Sequence, residues 1–445
     1  MSLYNETINW IETSSPHEKE YLQAAEEICE YIVPIVNANE DYKANNVLQR
    51  ILVPQRVIQF AVEWEDDDHQ CRVNTGWRVQ HSNILGPHKG GTRFHPKLNL
   101  SILKFLALEQ SFKNSLTGLS LGAGKGGADF DPTRCSNNEI RRFSKAYAKG
   151  LNSHIGPTTD VPAGDINVSS KELGYMFAEQ LRSTGSFAGD FSGKPLSLGG
   201  SKLRIEATGY GLLYFVANVL KQCNESIEDK TITISGAGNV AIHAAEKAIA
   251  MNARVLTLSN SRGLFKCDKG LTQAHINWLK ENKGQVNNEL QELAKHHDGD
   301  YQKGASPWSV KADIALPCAT QNEIDESDAL RIIKNTAIAL VEGANMPCTK
   351  PAIDKLIDSS LLYAPGKAAN AGGVILSAFE MQQNTAMRYE SEDSLDERLR
   401  ERMYEIHAAC VTESNYLGNA NIDYVQGANV AGFRKLADAL VAGGY

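Results

Sequence analysis

Lys89, Lys113, Lys125 and Asp165 all stand in glycine-rich or sharply punctuated stretches of the N-terminal half. Lys89 opens Lys89-Gly90-Gly91-Thr92-Arg93-Phe94, and Lys125 lies inside Gly122-Ala123-Gly124-Lys125-Gly126-Gly127. A single lysine on a surface loop is ordinarily a solvated charge. Glycines beside it surrender rigidity to bring backbone close to something. Two such lysine loops, with Asp165 closing Val161-Pro162-Ala163-Gly164-Asp165, point to a site that handles a small anion. Residues 99–117 have helical period with Asn99 or Ser101 as cap. Gln110 precedes Lys113 by one turn there, so both can share a face and hold one anion.

Farther on, Thr231-Ile232-Thr233-Ile234-Ser235 reads as a strand running into Gly236-Ala237-Gly238-Asn239-Val240-Ala241 at the start of a helix predicted over 239–250. Gly236 permits the tight turn, Gly238 lets backbone approach a pyrophosphate, and Ala241 is small enough for helix–strand packing. The N–H groups of the helix end supply the positive pole. Glycines opening a helix are often only a turn; the strand before them and the β-α-β pattern after them favour a dinucleotide site. The next strand ends Leu258-Ser259-Asn260-Ser261-Arg262-Gly263, with no acid to accept from a ribose 2′-hydroxyl. Arginine is a good phosphate partner, so NADP is favoured over NAD. The plainer alternative leaves Arg262 solvated and admits both cofactors.

The elements that must position these residues fall into two textures. Residues 17–36 read as an amphipathic helix stopped near Pro34. Strand-like pieces follow at 51–53, 57–60, 71–73 and 77–79, with the acidic run Glu65-Asp66-Asp67-Asp68 as a solvated hairpin tip. A helix is predicted from Asn137 to Leu151. From about residue 202, helices at 206–222 and 239–250 alternate with strands at 231–235, 254–258, 312–316, 336–341 and 361–363, the pattern of a mostly parallel sheet. Residues 282–306 are polar and loop-like, with a surface helix and tip. Helices are expected at 373–387, 394–414 and 430–442.

Composition bounds the rest. With 445 residues, 42% hydrophobic and 22% charged, the chain is long enough for two domains of an ordinary soluble kind. A net charge of −8 argues against a nucleic-acid partner, which wants a basic face. No run approaches the ~18 apolar residues of a membrane span, and the first residues resemble no targeting segment, so the cytoplasm is expected. The eight cysteines form no C-x-x-C pair, so reduced thiols and no metal site are expected; Cys318 and Cys348, near strand ends, receive no role.

Several long stretches then resemble one family in order along nearly the whole chain: 89–132, 154–168, 206–211 (EATGYG), 312–323 (ADIALPCATQNE), 342–347 (EGANMP), 364–374 (APGKAANAGGV) and 424–433 (YVQGANVAGF). They resemble the glutamate dehydrogenases of the short hexameric type. The resemblance implies an α/β fold of two domains separated by a catalytic cleft: a substrate domain with a mixed sheet and flanking helices, and a Rossmann-like dinucleotide domain. The expected limits are 1–200 for the substrate-binding and oligomerisation domain, 201–372 for the dinucleotide domain, and 373–445 for C-terminal helices returning to the substrate domain. It implies reversible conversion of 2-oxoglutarate and ammonium to L-glutamate with NADPH, by a homo-oligomer, a hexamer.

By the same resemblance Lys125 looks like the catalytic base and Asp165 like its proton-transfer partner. Gln110 and Lys113 match residues that hold the α-carboxylate; Lys89 and Ser377 match those that read the distal carboxylate. Ala163, Gly164 and Val374 shape the pocket. Thr208, Gly236, Gly238, Asn239, Val240, Ser259, Asn260, Arg262, Asn345 and Asn370 fall on the cofactor side, although Asn370 read alone could be a helix cap. Crowding by Lys113 and glycine backbone is expected to lower the Lys125 pKa. The chain departs from the family at Thr117-Gly118-Leu119-Ser120-Leu121, at Ile205 where proline is usual, and at Ser192 where threonine is usual; none removes a proposed catalytic group. A relative acting on leucine, valine or phenylalanine is disfavoured by Lys89 and Ser377, and a non-catalytic sensor by the intact Lys125 and Asp165.

Overall fold

The computed structural model describes residues 2–418 and 422–444. The chain forms two bodies, Met1–Lys202 with Val374–Leu395 and Asn429–Tyr445, and Leu203–Gly373 with Asp396–Ala428.

The first body is built on a five-stranded sheet in the order β1-β2-β4-β3-β5. Its strands are β1 (Arg56–Glu65), β2 (Cys71–Ser82), β3 (His88–Phe94), β4 (Ala123–Ala128) and β5 (Asp160–Gly164). β1, β2 and β4 are antiparallel neighbours, whereas β3 runs parallel to both β4 and β5, so the sheet is mixed as expected. Helix Leu100–Leu116 lies over Trp77 and Val79 with Leu103 and Ala107, and Asn99 caps it. On the other face Phe94 of β3 and Phe130 beyond β4 are buried together with Phe143 and Tyr147 of helix Asn137–Leu151 and Met176 and Phe177 of helix Ser170–Thr184. Each helix opens with a reciprocal capping box, Ser136 with Glu139 and Ser169 with Glu172. Burying each such aromatic stabilises the body by about 1.5–3 kcal/mol.

The second body carries seven strands in the order β12-β11-β10-β6-β7-β8-β9. They are β6 (Thr231–Ile234), β7 (Arg254–Asn260), β8 (Gly263–Lys266), β9 (Asp300–Lys303), β10 (Ala312–Leu316), β11 (Thr336–Val341) and β12 (Leu362–Ala364). From β12 to β7 the pairing is parallel; β8 and β9 add an antiparallel edge. This is the Rossmann-like arrangement, with β6 feeding helix Asn239–Ala250.

Some local expectations give way. Both glycine-flanked lysine stretches are strands, β3 and β4, and not loops. Of residues 51–53, read as strand, Ile51 and Leu52 belong to helix Val47–Leu52 and Val53 is its extended C-cap; Val47, Leu48, Ile51 and Leu52 are buried at helical spacing. Pro34 does not stop its helix, which runs Lys19–Asn37, because Ile35 and Val36 still bury in its last turn. The polar 282–306 stretch contributes helix Glu289–His296 and the edge strand β9. Asp396–Ala428 groups with the second body and not with the first. Tyr214 donates to Asp396 at 2.6 Å, Lys247 reaches the same carboxylate at 2.9 Å, and His407 meets Tyr424 and Phe215. Among the described residues no helix is long and apolar enough to cross a membrane.

Candidate active site and dinucleotide site

On a strand, alternate residues share a face. Lys89, Gly91 and Arg93 therefore share one face of β3, and the register sets Thr92 against Gly126 on β4 and Gly91 against Ala163 on β5. Lys125 and Asp165 come from either side of β3 and meet over Gly91. Lys125 Nζ donates to Asp165 Oδ1 at 3.0 Å, and Arg93 Nε donates to Asp165 Oδ2 at 2.6 Å. A Cβ on Gly91 would sit 2.8 Å from Asp165 Cβ and 3.2 Å from Lys125 Nζ, so glycine there leaves room for the pair. The other face of β4 explains the remaining glycines. Arg78 of β2 is fully buried and doubly bonded to Asp160, at 2.9 and 2.5 Å. A Cβ on Gly124 or Gly126 would come within 3.3 Å of Arg78 Nη2 or 3.0 Å of its Cδ. The glycines serve close packing on a sheet, one face for Arg78 and the other for Lys125.

Burial pushes the Lys125 pKa down; Asp165 opposes the shift, and Arg93 and, more weakly, Arg78 reinforce it. The lowered value matches the expectation, but its causes are burial and arginine charges and not crowding by Lys113. Burial pushes Asp165 up, yet Lys125 and Arg93 outweigh it and hold the carboxyl at about 2.

Lys89 is buried on β3. Asn114 ties helix Leu100–Leu116 to that strand, donating to Lys89 O at 3.1 Å and to Gly122 O at 2.6 Å, and Gln110 Nε2 donates to Asn114 Oδ1 at 2.6 Å. Lys113 is half-buried on the same helix. Ala163 is buried, Gly164 is half-buried at the end of β5, and a turn brings Asp165 back to Val168. Ser377 is buried and Val374 half-buried on helix Gly372–Ala386. One turn beyond Ser377, Glu380 fixes this helix by a fully buried pair with Lys194 at 2.7 Å and by accepting from Gly193 N at 2.8 Å.

In the second body Gly236 has φ +89°, and a Cβ on it would meet Cys318 O at 2.9 Å. Its N–H donates to Ser259 Oγ at 3.2 Å, which joins the ends of β6 and β7. A Cβ on Gly238 would meet nothing within 4 Å, so the helix entrance is open to a phosphate group. Asn239 and Val240 begin the helix, and Lys283 donates to Asn239 Oδ1. Burial lowers the Lys283 pKa against the pull of Glu289. Arg262 is exposed at the β7–β8 turn, where its Nη1 donates to Asn287 Oδ1 at 2.9 Å. The Asn260 amide is committed to the same turn: it accepts from Arg262 N and Gly263 N and donates to Asn288. Asn370 does cap a helix, Gly366–Ala369, and also donates to Gly343 O, Ala344 O and Asn345 Oδ1. Beneath that loop buried Glu342 accepts from Tyr363 Oη at 2.6 Å and Gly366 N at 2.7 Å. Thr208 lies in the first turn of helix Ala207–Gln222.

Sequence reasoning passed over Arg93 and Lys283. Arg93 stood in the quoted motif; reading 88–94 as strand would have placed it on the face of Lys89. Lys283 lay in a stretch set aside as polar surface, and nothing local marked it. All eight cysteines are free, and among the described residues no cluster of His, Cys, Asp or Glu could hold a metal.

A mixed-sheet body with a buried lysine–aspartate pair, and a second body with an open glycine-rich turn at a Rossmann-like sheet, define a two-domain α/β oxidoreductase. The chain belongs to the family described as Glutamate/Leucine/Phenylalanine/Valine dehydrogenase, which matches residues 199–444, with that family's dimerisation domain over residues 54–182. It is 48% identical to the NADP-specific glutamate dehydrogenase of Psychrobacter sp. (strain TAD1), covering 99% of both chains. It is 44% identical to an NAD(P)-specific glutamate dehydrogenase of Xylanibacter ruminicola, again over 99% of both. Among solved structures, the glutamate dehydrogenase of Plasmodium falciparum superposes with a TM-score of 0.96 at 43% identity, covering 99% of this chain and 94% of the other.

Proposed function

We propose that this chain is an NADP-dependent glutamate dehydrogenase that interconverts 2-oxoglutarate, ammonium and NADPH with L-glutamate, water and NADP, as a homohexamer in the cytoplasm. The observation that carries the reading is the Lys125–Asp165 contact of 3.0 Å laid across β3, the strand that also bears buried Lys89. A five-carbon dianion needs two separated cationic sites. Lys89, with Ser377, takes the distal carboxylate, and Lys113, with Gln110, takes the α-carboxylate. Gln110 can turn from Asn114 to the substrate at the cost of one side-chain bond. Ala163, Gly164 and Val374 bound the space between. An apolar side chain in place of the distal carboxylate would bring no charge to the buried Lys89, which disfavours leucine, valine or phenylalanine as substrates.

Gly236, open Gly238 and the helix start at Asn239 and Val240 fit a pyrophosphate, and Arg262 with Lys283 supplies two cations for a 2′-phosphate. Ser259 and Asn260 shape the β7 end, and Thr208, Asn345 and Asn370 would serve the cofactor's nicotinamide side. A nicotinamide held there would supply the hydride for the substrate α-carbon, or accept it in the reverse direction. In the deamination direction neutral Lys125 removes a proton from the water that attacks the iminium carbon. Asp165 passes protons to and from the substrate nitrogen. Closing a cleft over the substrate would exclude bulk water from these transfers.

Initial rates of NADPH and NADH oxidation with 2-oxoglutarate and ammonium, and with 2-oxoisocaproate as control, test this. Turnover with NADPH and 2-oxoglutarate alone is expected. Equal rates with NADH would overturn the cofactor preference, and activity on 2-oxoisocaproate alone would overturn the assignment of Lys89 and Ser377.

A further inference from the structure

Asp165 has two oxygens, and each meets a different cation: Lys125 at 3.0 Å on Oδ1, and Arg93 at 2.6 Å on Oδ2. All three side chains are at least four-fifths buried, with exposures of 7%, 17% and 16% for Lys125, Arg93 and Asp165. The shorter contact belongs to the guanidinium, which stays charged at any working pH. We propose that Arg93 is a positioning residue that neutralises Asp165 and so allows Lys125 to give up its proton and act as a base. The inference rests on the reading of Lys125 as that base.

Charge accounting gives the reason. With both cations charged the trio carries one net positive charge. Loss of the Lys125 proton then leaves a balanced Arg93–Asp165 pair. Without Arg93, the same loss would strand a buried carboxylate with no counter-ion, which is costly. A lysine bound to a carboxylate alone is held as an ammonium, and an ammonium is no base. Arg78, His88 and Tyr147 are committed elsewhere and do not replace Arg93. Arg78, from β2 on the opposite face, is spent on Asp160 and further held by Gly90 O. β3 also carries Lys89 and His88, the latter bonded to Ala123 O at 3.0 Å. The helix over β4 brings Glu109 and Lys113, and Tyr147 Oη is bonded to Trp77 O. Arg78, His88 and Tyr147 thus make these contacts with groups other than Asp165. The electrostatics run in the same direction as the geometry: the charge of Arg93 lowers the proton affinity of both Lys125 and Asp165.

The test reads Lys125 without turnover. The whole protein, free of substrate and cofactor, is pulsed with an amine-acylating reagent across a pH series, and Lys125 labelling is quantified by peptide mass spectrometry. Arg93→Gln is expected to move the midpoint upward by about one pH unit or more, which is about tenfold less neutral amine at a given pH below the midpoint. Arg93→Lys is expected to restore part of the shift. The acid limb of kcat against pH should move the same way. Coincident labelling curves with only a raised KM would overturn the proposal and place Arg93 in substrate binding. Should Arg93→Gln fail to fold, Arg93→Lys must show a smaller shift in the same direction, and no shift in it overturns the proposal. A labelling shift in a protein with no turnover of 2-oxoglutarate would uphold the proposal as a device on Lys125 while sinking the glutamate reading.

Discussion

At the scale of single residues, one carboxylate between two cations dominates the site, and it links activity to acid stability. Asp165 is held at about 2, below its ordinary value of 3.8, because Lys125 and Arg93 favour the charged form more than burial disfavours it. A depressed carboxylate stabilises the fold at every pH above its unfolded value and loses that contribution as pH falls through its folded value. Asp165→Asn leaves Lys125 and Arg93 buried without a counter-ion, and breaking such a pair from one side costs about 3–5 kcal/mol. The variant should therefore be less stable than wild type at neutral pH. The gap should narrow as wild-type Asp165 is itself protonated between its ordinary value of 3.8 and about 2. Urea unfolding at neutral pH and across that acid window measures it. A gap that stayed constant to the lowest pH would mean that Asp165 contributes packing and not charge.

At the scale of elements, the sequence marked the glycine-flanked lysines but not the strands that carry them. Glycines at 90, 91, 124 and 126 were legible as close approach, and that reading holds; the strand that needs it was not. Gly-Lys-Gly has little strand propensity, and tertiary pairing with β2 and β5 overrides it. The helix over 137–151 was legible because its apolar period and its Ser136 capping box agree, and the one over 100–116 was legible from its Asn99 cap and its length of apolar residues. By contrast 282–306 holds only short elements, a helix of eight residues and a four-residue edge strand that pairs with β8. On the proposed function that segment would bear on the cofactor, since Lys283 donates to Asn239 and Asn287 accepts from Arg262. Charge-assisted bonds to a phosphate contribute about 1.5–3 kcal/mol each. Arg262→Gln with Lys283→Gln should raise the KM for NADPH at least tenfold and leave that for NADH within about twofold, because only the 2′-phosphate distinguishes them. Equal losses with both cofactors would show that the two cations hold the pyrophosphate or merely support the turn.

At the scale of the whole molecule, the chain moves between its two bodies more often than texture suggested. Residues 374–395 and 429–445 belong with the mixed sheet, while 396–428 belongs with the dinucleotide sheet. A run of amphipathic helices carries no mark of which sheet it will cover; long-range partners such as Tyr214 and Lys247 on Asp396 decide it. Assembly was likewise visible only by resemblance, yet the first body offers a physical reason for it. β1 is an edge strand of ten residues, and an edge presents unpaired backbone groups that natural proteins cover. Val57 on β1 is 40% exposed and Val73 on β2 is 64% exposed, on a hairpin within the residues that match the family's dimerisation domain. Each chain carries a net charge of −8, so apolar contacts and strand pairing must overcome repulsion between copies. Light scattering should give a mass about six times that of the 48.7 kDa chain. Val57→Asp with Val73→Asp places carboxylates on that hairpin, where two exposed substitutions cost a single chain little, within about 0.5 kcal/mol each. The variant should fall to a smaller species with its far-UV circular dichroism retained. An unchanged mass would move the assembly surface away from β1 and β2.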